Sequence, residues 1–180
     1  MRKPFLLALV LTLAAAAPGA AASFSLYGSY MDTEDLGSAT GLGLRLGFNV
    51  LPLLTVEVGG TYYEDLDELG FIGVEGFEGN VDVLPIDAGI RFDLGRPGGF
   101  YLLAGGTFFV LDSDFGTVDD EVGYYGGIGW VLGKHLYVEA LYRSVEGTVD
   151  ELEIDELALE IVAPFDIDLN GYTFNLGFRW

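Results

Sequence analysis

The 180-residue sequence contains no cysteine, a single histidine and only eight basic residues, against 28 acidic ones. Disulfide bonds are therefore excluded as a source of stability. The scarcity of Lys and Arg argues against a nucleic-acid partner, because an acidic surface repels phosphates. Beyond the N-terminus, no apolar run approaches the roughly 20 residues that a membrane-spanning helix needs. A hydrophobic content of 51% argues against a disordered acidic chain.

The N-terminus has the pattern of a secretory signal peptide. Arg2 and Lys3 provide a basic start, residues 5–17 form an apolar run, and small residues at 20–22 provide a cleavage site. We therefore expect a signal peptide over residues 1–22 and one mature domain over residues 23–180. Removing Arg2 and Lys3 leaves six basic residues against 28 acidic ones, a net charge of −22.

Eight stretches of the sequence alternate apolar and polar residues, and in each the apolar residues occupy even-numbered positions. Such alternation predicts strands with two unlike faces. The predicted strands cover residues 24–31, 40–50, 54–63, 82–94, 100–110, 122–132, 135–145 and 172–180. Their connections alternate between short turns and the longer segments 32–39, 64–81, 111–121 and 146–171. The sequence thus predicts an all-β fold, an eight-stranded antiparallel up-and-down transmembrane barrel with short periplasmic turns and long acidic extracellular loops.

Aromatic residues at the ends of the apolar faces predict two girdles at the membrane–water interfaces. The periplasmic girdle is predicted to contain Phe24, Phe48, Phe92, Phe100, Trp130 and Trp180. The outer girdle is predicted to contain Tyr30, Tyr62, Phe108, Tyr124, Tyr142 and Tyr172. The alternative is a soluble lipocalin-type barrel with its apolar face inward. That alternative is disfavoured because the other face carries many charged residues, which a dry apolar cavity could not accommodate.

The last predicted strand carries Tyr172, Phe174, Leu176, Phe178 and Trp180 on one face. With the signal peptide and the eight alternating strands, this ending resembles the small OmpA-like outer-membrane barrels, which include the OmpX and OmpW types. The resemblance implies a location in the bacterial outer membrane, contact with its lipid, and assembly by the outer-membrane insertion machinery, which reads such an ending. Trp180 departs from the usual terminal Phe. The family implies no single function.

The inward face is predicted to carry a balanced set of charges in a lumen just wide enough for side chains to fill. The set consists of Arg45, Glu57, Asp87, Arg91, Asp93, Glu139, Arg143 and Arg179. Arg45 and Glu57 lie at similar distances from the 50–53 turn, so we expect them to face each other across neighbouring strands. Two interpretations follow. The set is a structural polar plug, which we favour, or it is a gated ion path through rearranging salt bridges.

The remaining 24 acidic residues lie in or beside the long connections, unaccompanied by Lys or Arg. Hard divalent cations would relieve their repulsion, because Ca²⁺ binds six to eight oxygen ligands. Two clusters are candidate Ca²⁺ ligands: Asp166, Asp168 and Asn170, and then Asp112, Asp114, Asp119, Asp120 and Glu121. The first resembles half of an EF-hand loop without its closing Glu. The alternative is a solvated acidic surface with diffuse counterions.

The longest connection, 146–171, also alternates apolar and polar residues, which predicts a hairpin that continues strands seven and eight above the membrane. Its alternation is out of phase with the last strand, so we expect a bulge near Asn170 and Gly171. An exposed edge of this hairpin could pair with a strand of a surface protein partner. Alternatively, the hairpin packs only on the other loops of its own barrel.

We expect no enzymatic activity, because the only histidine, His135, lies beside a periplasmic turn, away from the outer rim where related barrels place catalytic groups. The sequence therefore favours a structural or adhesive envelope protein with an acidic, Ca²⁺-collecting extracellular crown. The alternative is a narrow gated channel or a transporter of small molecules. A lateral route for hydrophobic molecules would need a continuous apolar lining of the lumen, which the sequence pattern does not predict.

Overall fold

A computed structural model describes residues 22–34, 37–63, 81–95, 99–113, 116–118, 121–154, 159–161, 165–168 and 170–180. Within these ranges the structure consists of β-strands. Their bounds are β1 Ala22–Thr33, β2 Gly37–Leu51, β3 Leu54–Tyr63, β4 Val81–Asp93, β5 Phe100–Ser113, β6 Gly116–Val118, β7 Glu121–Leu132, β8 Leu136–Ser144, β9 Glu146–Ile154, β10 Leu159–Ile161, β11 Phe165–Asp168 and β12 Gly171–Arg179. No helix in the described part of the chain is both long and apolar enough to cross a membrane.

Eight of the strands form a closed antiparallel barrel in the order β1-β12-β8-β7-β5-β4-β3-β2. The first and last strands close it, with Phe24 and Trp180 exchanging backbone hydrogen bonds of 3.2 and 2.9 Å. Closure leaves no unpaired edge, which satisfies the backbone polar groups of the barrel. The predicted fold class is confirmed. We call the end at which β1 begins and β12 ends, with the connections β2–β3, β4–β5 and β7–β8, the turn end, and the opposite end the loop end.

The predicted alternation is present along the barrel strands. In β1, Phe24, Leu26 and Tyr30 are exposed, whereas Tyr27 and Met31 are buried. The predicted strand ends differ from the observed ones by a few residues. The largest error concerns the segment 32–39, predicted as a long loop. Most of it belongs to β1 and β2, so residues 34–36 alone connect the two strands. Gly37 begins β2 with φ of 70°, which favours glycine.

A second, smaller sheet lies beyond the barrel, where β9 pairs with β6, β10 and β11. The expected pairing within the segment 146–171 is therefore present, while the contribution of β6 was not predicted. The expected bulge was wrong. Asp168 pairs with Glu146 and Gly171 with Arg143, so the register is the same on both sides and no residue is inserted. Instead, the Asn170 side chain accepts a hydrogen bond from the Val145 N–H at 2.9 Å.

The core of the molecule is the lumen, and its composition changes along the barrel axis. Polar and charged residues fill the turn end and the middle together with a buried cluster of Tyr101, Leu103, Tyr125 and Leu141. The loop end of the lumen carries a layer of buried apolar side chains that was not predicted: Met31, Ala39, Val83, Phe109 and Val145. All five occupy odd-numbered positions, so they share the inward face with the charged residues. Leu103 lies opposite Arg91 on the neighbouring strand, so apolar and charged side chains share the middle of the lumen along β5, β7 and β8.

Candidate functional site: the charged lumen

Glu57, on β3, is surrounded by three arginines near the turn end of the lumen. Arg91 Nη1 donates to Glu57 Oε1 at 2.7 Å, and Arg45 Nη1 donates to Oε2 at 3.3 Å. Arg179 Nη2 lies 3.7 Å from Glu57 Oε1. These groups come from β4, β2 and β12. A carboxylate this well buried is stabilised only when it is paired and hydrogen-bonded, and Glu57 meets both conditions.

Glu139, on β8, is a second hub. Its Oε1 accepts from Arg45 Nη1 at 2.7 Å and from the Tyr101 hydroxyl at 2.8 Å. Its Oε2 accepts from Asn175 Nδ2 at 3.0 Å. Since β2 and β8 are not neighbours in the barrel, the bond from Arg45 crosses the lumen. One nitrogen of Arg45 therefore joins Glu57 to Glu139.

A third contact braces the barrel nearer the loop end. Arg143, on β8, forms a bidentate pair with Asp87, on β4, with distances of 2.6 and 2.8 Å. The same guanidinium donates to the hydroxyls of Thr107 at 3.0 Å and Thr173 at 3.2 Å. Bidentate pairs fix geometry as well as adding energy. This one ties opposite walls of the barrel together.

The expected alignment of Arg45 with Glu57 was wrong in register, although the two side chains do meet. Arg45 lies opposite Gly59, and Glu57 lies opposite Gly47. The contact is therefore diagonal, two residues out of alignment. A register irregularity between Asn49 and Leu51, at the start of the turn, shifts the pairing by one residue, and without it Arg45 would lie opposite Gly60, still further from Glu57. Long side chains still span such diagonal neighbours.

Five inward tyrosines lie opposite glycines of neighbouring strands. The pairs are Tyr27 with Gly43, Tyr63 with Gly41, Tyr101 with Gly129, Tyr125 with Gly105, and Tyr137 with Gly177. At each of these glycines an added Cβ would overlap the facing tyrosine ring. The arginines then lie over the rings, with the guanidinium carbon of Arg45 5.1 Å from the centre of Tyr27 and that of Arg143 5.4 Å from that of Tyr125. Such cation–π contacts favour the charged lumen.

The structure brings all eight predicted lumen charges together. Six are buried, with Arg91 the most exposed of them at 7%, whereas Asp93 and Arg179 are partly exposed at the turn end. Several hydrogen-bonding partners were missed: Ser25, Ser29, Thr55, Thr61, Thr107, Thr173 and Asn175. Their odd-numbered positions were the available signal. Small hydroxyl side chains, however, occur on both faces of a strand and so do not identify the inward one.

The predicted girdle residues point outward. All are exposed except Phe48, which is partly buried. At the turn end, the ring of Phe24 lies 5.8 Å from that of Trp180, and Phe100 stacks on Trp130 at 5.2 Å. The predicted assembly residues Tyr172, Phe174, Leu176, Phe178 and Trp180 are also exposed. His135 lies at the turn end, as expected, with its ring stacked on Phe178 and Nδ1 2.8 Å from the Arg179 carbonyl oxygen.

The predicted Ca²⁺ ligands fall mostly outside what the structure describes. Asp114, Asp119 and Asp120 lie outside the described residues. The backbones of Asp112, Asp166 and Asp168 belong to β5 and β11, but the structure does not describe their side chains. Asn170 is described, and its amide oxygen bonds to Val145. Among the described residues, Glu121 included, no group of three acidic, His or Cys side chains could hold a metal ion.

The sequence pattern of the outer membrane protein beta-barrel domain family matches residues 4–180. Among solved structures, the chain is similar to the outer membrane protein OprG from Pseudomonas aeruginosa, with a TM-score of 0.64, 16% identity, and coverage of 89% of this chain and 97% of OprG. It is similar to Neisserial surface protein A, with a TM-score of 0.51, 15% identity, and coverage of 88% and 95%. It is similar to Ail from Yersinia pestis, with a TM-score of 0.52, 11% identity, and coverage of 88% and 99%. No curated protein matches the chain by sequence.

Proposed function

This chain belongs to the family of outer membrane protein β-barrel domains, and on that basis we propose that it is a closed structural barrel of the bacterial outer membrane. Family membership indicates the outer membrane and its lipid as the surroundings of the barrel. The location in turn orients the molecule, with the turn end periplasmic and the loop end extracellular, since barrels of this kind have short periplasmic turns.

The filled lumen is the observation that supports a closed barrel. The charged and polar side chains in the middle of the lumen are almost fully buried. Glu139, for example, is only 4% exposed and accepts hydrogen bonds from side chains of three other strands. Four arginines balance four carboxylates, so no net charge remains in the lumen to attract one type of ion. Side chains packed this way stabilise the wall and leave little space for water.

The extracellular connections supply the second part of the proposal. Their acidic residues form a crown that collects divalent cations, through Asp166, Asp168 and Asn170 and through the cluster around Asp112 to Glu121. The sheet formed by β6, β9, β10 and β11 would carry these residues above the membrane and present a strand edge to a surface protein partner. This crown gives the barrel an adhesive role in the envelope.

Export and assembly complete the proposal. Residues 1–22 act as a signal peptide, and the outer-membrane insertion machinery reads the exposed face of β12. Support comes from the exposure of Phe174 and Phe178, at 52% and 40%, on a strand that closes the barrel against β1.

Conductance across planar lipid bilayers tests the closed barrel. Purified, folded protein is expected to give no reproducible conductance, and the same holds for Glu57→Ala, because Glu139 still holds Arg45. Heat-modifiable migration in gels would verify that both proteins are folded. Stable, reproducible channel openings by the unmodified protein would contradict the proposal.

A narrow gated ion path is the second candidate, and one feature favours it. Arg45 uses a single nitrogen for both Glu57 and Glu139, and Arg179 Nη2 lies only 3.7 Å from Glu57. Exchange of partners among these groups would rearrange the lumen without leaving a charge unpaired. Under this candidate, Glu57→Ala would alter the frequency or size of openings that the unmodified protein already has.

A further inference from the structure

The outward aromatic residues at the loop end differ between the two halves of the barrel. Four consecutive strands, β1, β12, β8 and β7, each carry a tyrosine there. We call Tyr30, Tyr172, Tyr142 and Tyr124 the tyrosine arc. Their exposures are 42%, 59%, 43% and 66%. The other half of the rim carries Leu42, Phe108 and Tyr62, and the Tyr62 hydroxyl donates to Asp82 at 2.6 Å.

Two members of the arc are in direct contact, and Tyr30 and Tyr124 lie on the strands on either side of them, each two residues out of alignment. Tyr172 and Tyr142 are direct cross-strand partners, with ring centres 5.3 Å apart at an angle of 60°. On the other side of Tyr172, Asp32 is its cross-strand partner, and the Asp32 side chain is exposed. On β7, Tyr124 pairs with Ser144. The arc therefore combines aromatic faces with hydroxyl groups and a carboxylate along one rim.

The charge of the loop-end rim determines which lipid headgroups can bind there. The basic residues after residue 22 are Arg45, Arg91, Arg96, Lys134, Arg143 and Arg179. Four belong to the lumen, and Arg96 and Lys134 belong by sequence to connections at the turn end. The rim thus carries no cation of its own, although Arg and Lys are the side chains that bind phosphate. A phosphate-bearing headgroup would meet carboxylates alone.

We propose that the tyrosine arc binds the uncharged sugar headgroup of a glycolipid in the outer leaflet. Tyrosine offers an apolar ring for the carbon face of a sugar and a hydroxyl that donates to and accepts from sugar hydroxyls. Asp32 is an acceptor for the same groups. Tyr172 and Tyr142 lie on the outward faces of β12 and β8, above exposed apolar residues such as Phe174 and Leu176, so the acyl chains of the lipid would lie along these strands. This inference rests on the outer-membrane location.

Native mass spectrometry of the detergent-folded protein tests this inference. Digalactosyl diacylglycerol and phosphatidylglycerol with identical acyl chains would be titrated separately with a metal chelator present. We expect tighter binding of the glycolipid. The triple variant Tyr30→Phe/Tyr124→Phe/Tyr172→Phe keeps the rings and removes three hydroxyls. Each hydroxyl lost should weaken glycolipid binding by about two- to tenfold, the equivalent of one neutral hydrogen bond.

Tyr62→Phe is the matched control, because it removes one hydroxyl from the opposite half of the rim and should leave the glycolipid preference unchanged. Equal or tighter binding of phosphatidylglycerol would overturn the inference, as would an unchanged preference in the triple variant. Binding of phosphatidylglycerol that appears only when Ca²⁺ replaces the chelator, without a glycolipid preference, would instead indicate phosphate bridged by metal. The conductance test of the closed barrel does not depend on these outcomes. The proposal of glycolipid binding can therefore fail while the proposal of a closed barrel holds.

Discussion

Inward tyrosines lie opposite glycines of the neighbouring strands, and these glycines are required for steric reasons. At Gly129 an added Cβ would overlap the Tyr101 ring, whose hydroxyl donates to Glu139. At the outward Gly126 the nearest atom to an added Cβ is 3.8 Å away. Inward glycines therefore make room for the tyrosine rings that contact the charged groups, whereas a Cβ at Gly126 would make only an ordinary van der Waals contact.

Gly129→Ala should therefore destabilise the barrel by about 1–3 kcal/mol, the usual cost of overpacking. The added methyl group displaces Tyr101 and breaks its bond to Glu139. Gly126→Ala, three residues away on the same strand, should change the free energy of unfolding by less than about 0.5 kcal/mol. Urea unfolding in detergent micelles, followed by tryptophan fluorescence, measures both. Equal costs at the two sites would contradict the steric explanation.

The two carboxylates Glu139 and Asp93 differ in burial and should differ in their contribution to stability. Glu139→Ala removes bonds to Arg45, Tyr101 and Asn175, and we expect a cost of about 3–5 kcal/mol, because it leaves buried donors without an acceptor. Asp93 is partly exposed and lies 3.3 Å from Arg91. Asp93→Ala should cost about 1 kcal/mol or less. The same unfolding assay checks this, and a larger cost for Asp93→Ala than for Glu139→Ala would show that burial does not determine what these carboxylates contribute.

At the scale of strands, period-two alternation was sufficient to predict the eight barrel strands and their inward charges. Alternation did not predict features that depend on something other than a repeating pattern along one strand. The cross-strand register near Arg45 depends on how the chain pairs around the 50–53 turn, including a one-residue irregularity between Asn49 and Leu51, and alternation does not reveal this pairing. The apolar layer with Met31 and Phe109 was missed because its residues resemble those of the lipid-facing side. Long-range partners such as Arg143 and Asp87 follow from closure of the barrel, which brings together strands distant in sequence.

Asn170 replaces a ladder hydrogen bond where β8 passes into β9, and this predicts a local effect of its removal. In Asn170→Ala the Val145 N–H loses its acceptor, so its hydrogen exchange should speed up by about tenfold, consistent with the loss of about 1 kcal/mol. Amides in the middle of β12, such as that of Leu176, should keep their rates. NMR-detected exchange in micelles measures both positions. Unchanged exchange at Val145 would mean that another group satisfies this amide.

At the scale of the whole molecule, the charge distribution separates a neutral lumen from acidic connections. The proposed crown predicts saturable Ca²⁺ binding that depends on Asp166 and Asp168, because carboxylate oxygens are the ligands that Ca²⁺ prefers. Calorimetric titration of chelator-stripped, folded protein would measure it. Asp166→Ala/Asp168→Ala should abolish the saturable heat, and Asp32→Ala/Asp82→Ala, which removes the same charge from the barrel rim, should not. Weak heats that are reduced by salt and unchanged in both variants would contradict a defined site and indicate that Ca²⁺ is only a diffuse counterion of the acidic surface.

The closed, internally braced lumen is the central claim, and the absence of native cysteine allows a direct test by cysteine labelling. Ser29 is buried in the lumen at 6% exposure, and Ser25 at 2% lies nearer the turn end. Glu34, at the loop end, is exposed. We expect Ser25→Cys and Ser29→Cys to resist a water-soluble thiol reagent until the protein is unfolded, while Glu34→Cys reacts at once. Rapid labelling of both lumen cysteines in the folded barrel would contradict the account and indicate a water-filled path.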